Sequence, residues 1–313
     1  MIRSLFSSFV FFAIFFSSFM AVSSPRLAVV LLPGTLNSIL PGRITEDSVK
    51  KILLTTPYFS SAIIQSLEEG GALVHVVKGL APAGDLEENG RVALLSIQKW
   101  YRESGNSLPL ILIGHSAGGQ YALWLAAQNQ LPIQKIVFVS TPFNGAKLAE
   151  RFFGFPFTNI LRWGPPSWFS FFDWRGLYQM KPTEVKEFFK RIRIPGNIEL
   201  LAFGGSQDLP RSPLQTISAE YFSPALAVTA GLIGEESDGI VEIKSAYSDK
   251  VEILSQLDER INIQYLSEMH MPLEHPEQVL DYRIFKYMGA RNSEFVYQKQ
   301  RETYSRLMSL MNR

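Results

Sequence analysis

One stretch constrains this chain more than any other. Residues 108–127 read LPLILIGHSAGGQYALWLAA, an apolar run, then Gly114-His115-Ser116-Ala117-Gly118, then a second apolar run. The first run has the length and Leu/Ile content of a buried strand, and the second has the length of a helix. Between them there is room only for a tight turn, with Ser116 at its apex. A pentapeptide of this form is common by chance; a strand before it and a helix after it make it specific. Glycines on either side allow close backbone approach, and a serine on such a turn is exposed to a base that can activate it. A Gly-rich turn with no chemistry is the competing reading of the same residues.

Other apolar runs extend the pattern. Arg26–Pro33, Ala72–Val77, Ile136–Ser140, Ile198–Phe203 and Ile261–Leu266 read as further strands, the first two rich in Val and Leu as in a parallel sheet buried on both faces. Helical stretches separate them: Tyr58–Glu69, closed by Gly70-Gly71, and Arg91–Ser104, with apolar residues at Val92, Leu95 and Trp100 and with Leu94, Ile97 and Tyr101 alongside. A closing amphipathic helix is expected within Asn292–Arg313. Strands alternating with helices predict an α/β fold, a mostly parallel sheet with helices on both faces and a site at the carboxyl ends of the strands.

Composition narrows the function. The chain has 313 residues, 46% hydrophobic and 19% charged, which supplies a core and excludes a disordered chain. Lys and Arg number 30 against 29 Asp and Glu, so no basic field argues for a nucleic-acid partner. Cysteine is absent and no His-x-x-x-His helix occurs, so metal catalysis has little support and no cofactor is expected. At the start, Met1-Ile2-Arg3 precedes an uncharged apolar run from Leu5 to Val22, and Ala21-Val22-Ser23 at its close puts the small residues Ala21 and Ser23 at the two positions a signal peptidase inspects. This pattern is that of a secretory signal over residues 1–23, with a membrane anchor over 5–22 as the alternative, and it predicts an exported protein with a single domain over 24–313.

Arg151 to Met180 departs from the alternation. It holds Phe152, Phe153, Phe155, Phe157, Trp163, Trp168, Phe169, Phe171, Phe172, Trp174 and Tyr178, interrupted by Pro156, Pro165 and Pro166. Aromatic residues bury well, so ordinary packing accounts for some of them. An insertion this apolar also suits a lid whose inner face meets a lipid-like substrate.

An activated serine needs a base and a carboxylate that orients it. Of the four histidines, His115 is held by the turn itself and His75 lies within an apolar strand. His270 and His275 both follow the last strand, and His270 is preferred because Pro276 opens the next helix. For the acid, Asp208 follows the fifth strand and Asp238 sits in Ser237-Asp238-Gly239; each satisfies the order nucleophile, acid, histidine. Turn formation explains either aspartate equally well.

These residues resemble the α/β-hydrolase superfamily, and within it bacterial triacylglycerol lipases and esterases, over about Leu27 to Leu280. Pro33-Gly34-Thr35-Leu36 stands where the family has a His-Gly pair, which implies an oxyanion hole from the amides of Thr35 and Ala117. Ser140-Thr141-Pro142-Phe143-Asn144-Gly145 is similar to the Thr-Pro-His-x-Gly turn, with Phe143 replacing the histidine. Ser237-Asp238-Gly239-Ile240-Val241 resembles the lipases' Asp-Gly-Leu-Val motif and implies Asp238 as the acid, with Asp208 the alternative. His270-Met271-Pro272-x-x-His275-Pro276-Glu277 resembles the family's closing motif and implies His270 as the base, with His275 the alternative. The resemblance implies a serine carboxylic-ester hydrolase acting on a small-molecule acyl ester or lipid, with lipid-surface contact through the lid or an uncleaved N-terminus. An acyltransferase or thioesterase would use the same residues, and a non-catalytic exported or membrane-tethered binding module would keep only the fold.

Overall fold

The computed structural model describes residues 27–34, 59–81, 83–105, 107–154, 174–203, 233–234, 237, 241–246, 263–265 and 293–311. Among these residues six strands form one sheet: β1 (Leu27–Leu32), β2 (Ala72–Val76), β3 (Leu110–His115), β4 (Ile133–Val139), β5 (Glu199–Phe203) and β6 (Ile263–Tyr265). Their spatial order is β2-β1-β3-β4-β5-β6, and every neighbouring pair is parallel. Among the described residues eight helices accompany them: α1 (Ser61–Glu69), α2 (Leu86–Glu103), α3 (Ala117–Gln128), α4 (Lys147–Gly154), α5 (Arg175–Tyr178), α6 (Pro182–Arg191), α7 (Ile243–Ala246) and α8 (Ser293–Met311).

Alternate residues of β1, β3, β4 and β5 feed two separate cores. Ala28, Val30, Leu32, Leu110, Leu112, Ile136, Phe138, Leu200 and Ala202 face one side, where α2, α3 and α6 pack. Val29, Leu31, Ile111, Ile113, Val137, Val139 and Leu201 face the other, against α1 and α8. A period of two with both faces apolar is what a sheet covered on both sides requires. The chain crosses from β1 outward to β2, then returns to the far side of β1 as β3. Connections therefore diverge in opposite directions between β1 and β3, which leaves a crevice at the carboxyl ends of those two strands.

Helix α2 begins earlier than its apolar pattern predicts. The Asp85 side chain accepts from the amides of Glu87 and Glu88, and those two acidic residues occupy the first turn, so the helix starts at Leu86 rather than near Arg91. Gly90 lies inside it because the Trp124 ring of α3 fills the space a Cβ would take, at 2.6 Å. The buried face of α2 is Leu86, Ala93, Leu94 and Ile97, while Val92 and Leu95 point to solvent. Helix α3, buried from Ala117 through Ala126, is apolar on nearly every side and runs through the middle of the first core. Helix α8 closes the second core with Tyr304, Leu307, Met308 and Met311.

Candidate active site

Ser116 follows β3 directly and caps the start of α3 with φ 52° and ψ −126°, a backbone conformation that costs a non-glycine residue about 1–3 kcal/mol. The turn is over-determined from several sides. The Ser116 amide donates to the Val139 carbonyl (2.8 Å) and the Gly119 amide to the Ser116 carbonyl (3.0 Å). The glycines of the motif supply clearance rather than unusual dihedrals: a Cβ on Gly114 would stand 2.5 Å from Gly119 Cα, one on Gly118 would collide with the Leu32 carbonyl oxygen, and one on Gly119 with Thr141 Oγ1. The strain falls on the serine itself.

Gly34, at the carboxyl end of β1, faces this turn across the crevice. A Cβ there would lie 2.6 Å from the His115 carbonyl oxygen, 2.7 Å from Ser116 Cβ and 3.2 Å from the Ala117 nitrogen. Ala117 opens α3, so its amide is among those at the helix N-terminus with no partner four residues back. An amide at that position, carrying the positive end of the helix dipole, suits a developing oxyanion. Thr35, the other expected donor, lies outside the described residues, as do His270, His275, Asp238 and Asp208.

The loop after β4 braces the turn. Thr141 Oγ1 donates to the Gly114 carbonyl (3.5 Å) and Gln120 Nε2 to the Pro142 carbonyl (3.1 Å). Phe143 is fully buried and packs edge-on against Phe138, with ring centroids 4.9 Å apart, so the position that holds histidine in the resembled motif serves packing here. On its other side the same loop is held by Glu242 and Ser245, which follow Asp238 in the chain. Ser237 and Glu242 form an antiparallel bridge, the Phe143 amide donates to the Ser245 carbonyl (3.1 Å), and Glu242 Oε1 accepts from the Lys147 amide (2.9 Å). Glu242 and Ser245 were not legible as site-building residues, because nothing in their local sequence distinguishes them from ordinary residues of a short helix start.

The remaining two histidines have structural settings. His115 is buried at the end of β3. His75, on the edge strand β2, approaches Ser96 Oγ at 3.0 Å and stacks on Trp100 (4.9 Å, 12°); burial, and secondarily the Lys78 charge, hold its pKa below the ordinary histidine value. Neither was expected to be the base.

A parallel sheet with a strained serine at its switch point, set ahead of a buried helix, defines an α/β hydrolase. The chain belongs to the Alpha/beta hydrolase family, whose profile matches residues 72–282. Among solved structures it is similar to the Staphylococcus hyicus lipase, at 14% identity and TM-score 0.60 with 93% of this chain and 99% of that chain covered. It is also similar to EstA from Clostridium botulinum (12% identity, TM-score 0.56, 91% and 88% covered) and to a mature Bacillus licheniformis lipase (16% identity, TM-score 0.52, 86% and 96% covered). At these identities the likeness is one of fold. A search by sequence among curated proteins finds no match.

Proposed function

We propose that this α/β hydrolase is a serine carboxylic-ester hydrolase acting through an acyl-enzyme. The observation that carries the reading is the strained Ser116 turn, with the Ala117 amide beside it and Gly34 keeping the approach open. In the proposed reaction His270 takes the Ser116 hydroxyl proton as the oxygen attacks the ester carbonyl. The amides of Thr35 and Ala117 hold the oxyanion, and the protonated histidine then gives its proton to the departing alcohol. Water, deprotonated by the same histidine, releases the carboxylic acid and restores the serine. Asp238 orients the imidazole and stabilises its charged form. Support for Asp238 over Asp208 comes from Glu242, four residues further along the chain and bridged to Ser237, whose carboxylate accepts from Lys147 at the end of the loop that braces the Ser116 turn.

Medium- or long-chain acyl esters are the proposed substrates. The lipases among its structural relatives support acyl esters as the class. So does the aromatic insertion of about residues 151–180, proposed as a lid. Its two ends meet through Phe152 on Trp174 (5.8 Å) and Phe153 on Tyr178 (5.3 Å), and the Ala146 amide donates to the Met180 carbonyl (2.8 Å). Export by the segment over residues 1–23, or anchoring by residues 5–22, would bring the enzyme to lipid outside the cytoplasm.

Fluorophosphonate labelling tests the chemistry without the natural substrate. The parent protein is expected to label and Ser116→Ala to remain blank, with p-nitrophenyl ester turnover reduced by about 10³-fold or more in Ser116→Ala and in His270→Ala. Hydrolysis by Ser116→Ala near the parent rate refutes the proposal. Reaction with acetyl and butyryl esters but not with lipid emulsions would replace the lipase-like reading with a small-ester esterase.

A further inference from the structure

The loop from Thr141 to Lys147 is shared by three parts of the molecule. Toward the nucleophile, Thr141 and Pro142 bond to Gly114 and Gln120 of the Ser116 turn. Toward the insertion, the Ala146 amide bonds to the Met180 carbonyl, and Gly145, at φ +77°, has its α-carbon so close to Pro182 that a Cβ would stand 2.6 Å from the proline Cα. Its third face meets residues 242–245, which follow Asp238 in the chain. There the Ser245 hydroxyl donates to the Gly145 carbonyl (2.6 Å) and accepts from the Asn144 amide (3.0 Å), while its carbonyl accepts from the Phe143 amide. Glu242, in contact with the same loop, accepts from the first amide of α4 through Oε1 and from the Ser245 and Ala246 amides through its carbonyl.

Both side chains are buried, at 3% and 4% exposure. Through Oε1 the buried Glu242 carboxylate holds the start of α4, where the positive end of the helix dipole favours it. The hydroxyl of Ser245 acts as donor and acceptor to two consecutive loop residues at once, which fixes the loop in both directions along the chain.

We propose that Ser245 and Glu242 are positioning residues for the hydrolytic site. Their role is to tie residues 242–245, which follow the proposed acid in the chain, to the loop that supports Ser116 and the neck of the insertion. The inference rests on the hydrolase reading. A clasp of this kind acts on catalysis through geometry, and a displacement of about 1 Å in a catalytic group lowers turnover by about a hundredfold.

The full-length protein tests it. Ser245→Ala, Glu242→Ala and Glu242→Gln are compared with the parent, with active sites titrated by a fluorophosphonate so that rates refer to folded, labelled protein. Ser245→Ala and Glu242→Ala are expected to lower kcat for p-nitrophenyl butyrate about tenfold to a hundredfold with little change in KM. The acid limb of their kcat/KM profile should move to lower pH, because a histidine less well served by its carboxylate holds its proton less tightly. Glu242→Gln keeps the acceptor oxygen and should recover most of the loss seen in Glu242→Ala. In an Asp238→Ala background the two alanine variants should have little further effect on residual turnover. An unchanged kcat per titrated site, or a loss that persists undiminished without Asp238, overturns the clasp while leaving the hydrolase reading intact. A parent protein that shows no Ser116-dependent labelling overturns both.

Discussion

The Ser116 amide donates to the carbonyl of Val139 at 2.8 Å, which anchors the turn at the end of β3 to the end of the neighbouring strand. That bond, together with the glycine contacts, holds Ser116 at φ 52° against its own preference. Glycine tolerates positive φ without the Cβ clash. Ser116→Gly should therefore abolish ester turnover and yet stabilise the fold by about 1 kcal/mol, the lower end of the strain range. Urea denaturation checks it; a variant less stable than the parent means that the serine conformation is not strained.

Gly34 and Gly118 separate approach from packing. A methyl on Gly118 meets the backbone carbonyl of Leu32 within the first core, so Gly118→Ala should destabilise by about 1–3 kcal/mol, with activity falling as folded protein is lost. A methyl on Gly34 would meet the His115 carbonyl oxygen, Ser116 Cβ and the Ala117 nitrogen, all at the nucleophile turn itself. Gly34→Ala should lower kcat per folded molecule well beyond any loss of thermal stability. Equal effects of the two variants on turnover per labelled site would contradict this assignment.

Lys135 is buried on the α8 side of β4, where its ammonium pairs with Glu199 (3.0 Å) and reaches the Met311 carbonyl at the end of α8 (3.5 Å). Glu199 is half exposed, so the two partners are unequal. Removing Glu199 strands a buried charge, whereas replacing Lys135 with methionine leaves a carboxylate that water can serve. Glu199→Ala should cost about 1–3 kcal/mol and Lys135→Met less, by denaturant midpoint. The reverse order is the outcome that counts against this account.

His75 gives stability a pH dependence with a definite sign. Its folded pKa is held below the ordinary value near 6.5 by burial and by Lys78. The unfolded chain thus binds a proton at higher pH than the native state does. Its contribution is present in full above that ordinary value and is lost as pH falls through it toward the lowered folded value. His75→Gln should flatten this part of the stability profile. Identical acid-side profiles for the two proteins would exclude His75 as the source.

Much of this architecture was legible from local chemistry. Each expected strand appears within a few residues of its apolar run, because a strand buried on both faces has no polar positions to disguise it. Ser116 was legible too, since the glycines that let three backbone segments converge leave their mark in the sequence. Other features were not. The start of α2 was hidden because Asn89 and Gly90 read as loop residues; only Trp124, far along the chain, makes a glycine useful there. Likewise Val92 and Leu95 carry the composition of a buried face and lie on the exposed one, since the rotation of α2 is fixed by Asp85 at its N-terminus and α3 beneath it.

The sequence by itself determined an alternating α/β chain, a serine on a strand-to-helix turn, and the apolar alternation that gives the sheet two covered faces, because each of these is a property of neighbours along the chain. Only the tertiary structure decided that β1 and β3 lie side by side, so that Gly34 faces Ser116, and that Ser245 and Glu242 bind a loop a hundred residues earlier. Those relationships depend on long-range pairing and on buried hydrogen bonds whose partners carry no local signal. The order of the strands, which no single segment encodes, set them.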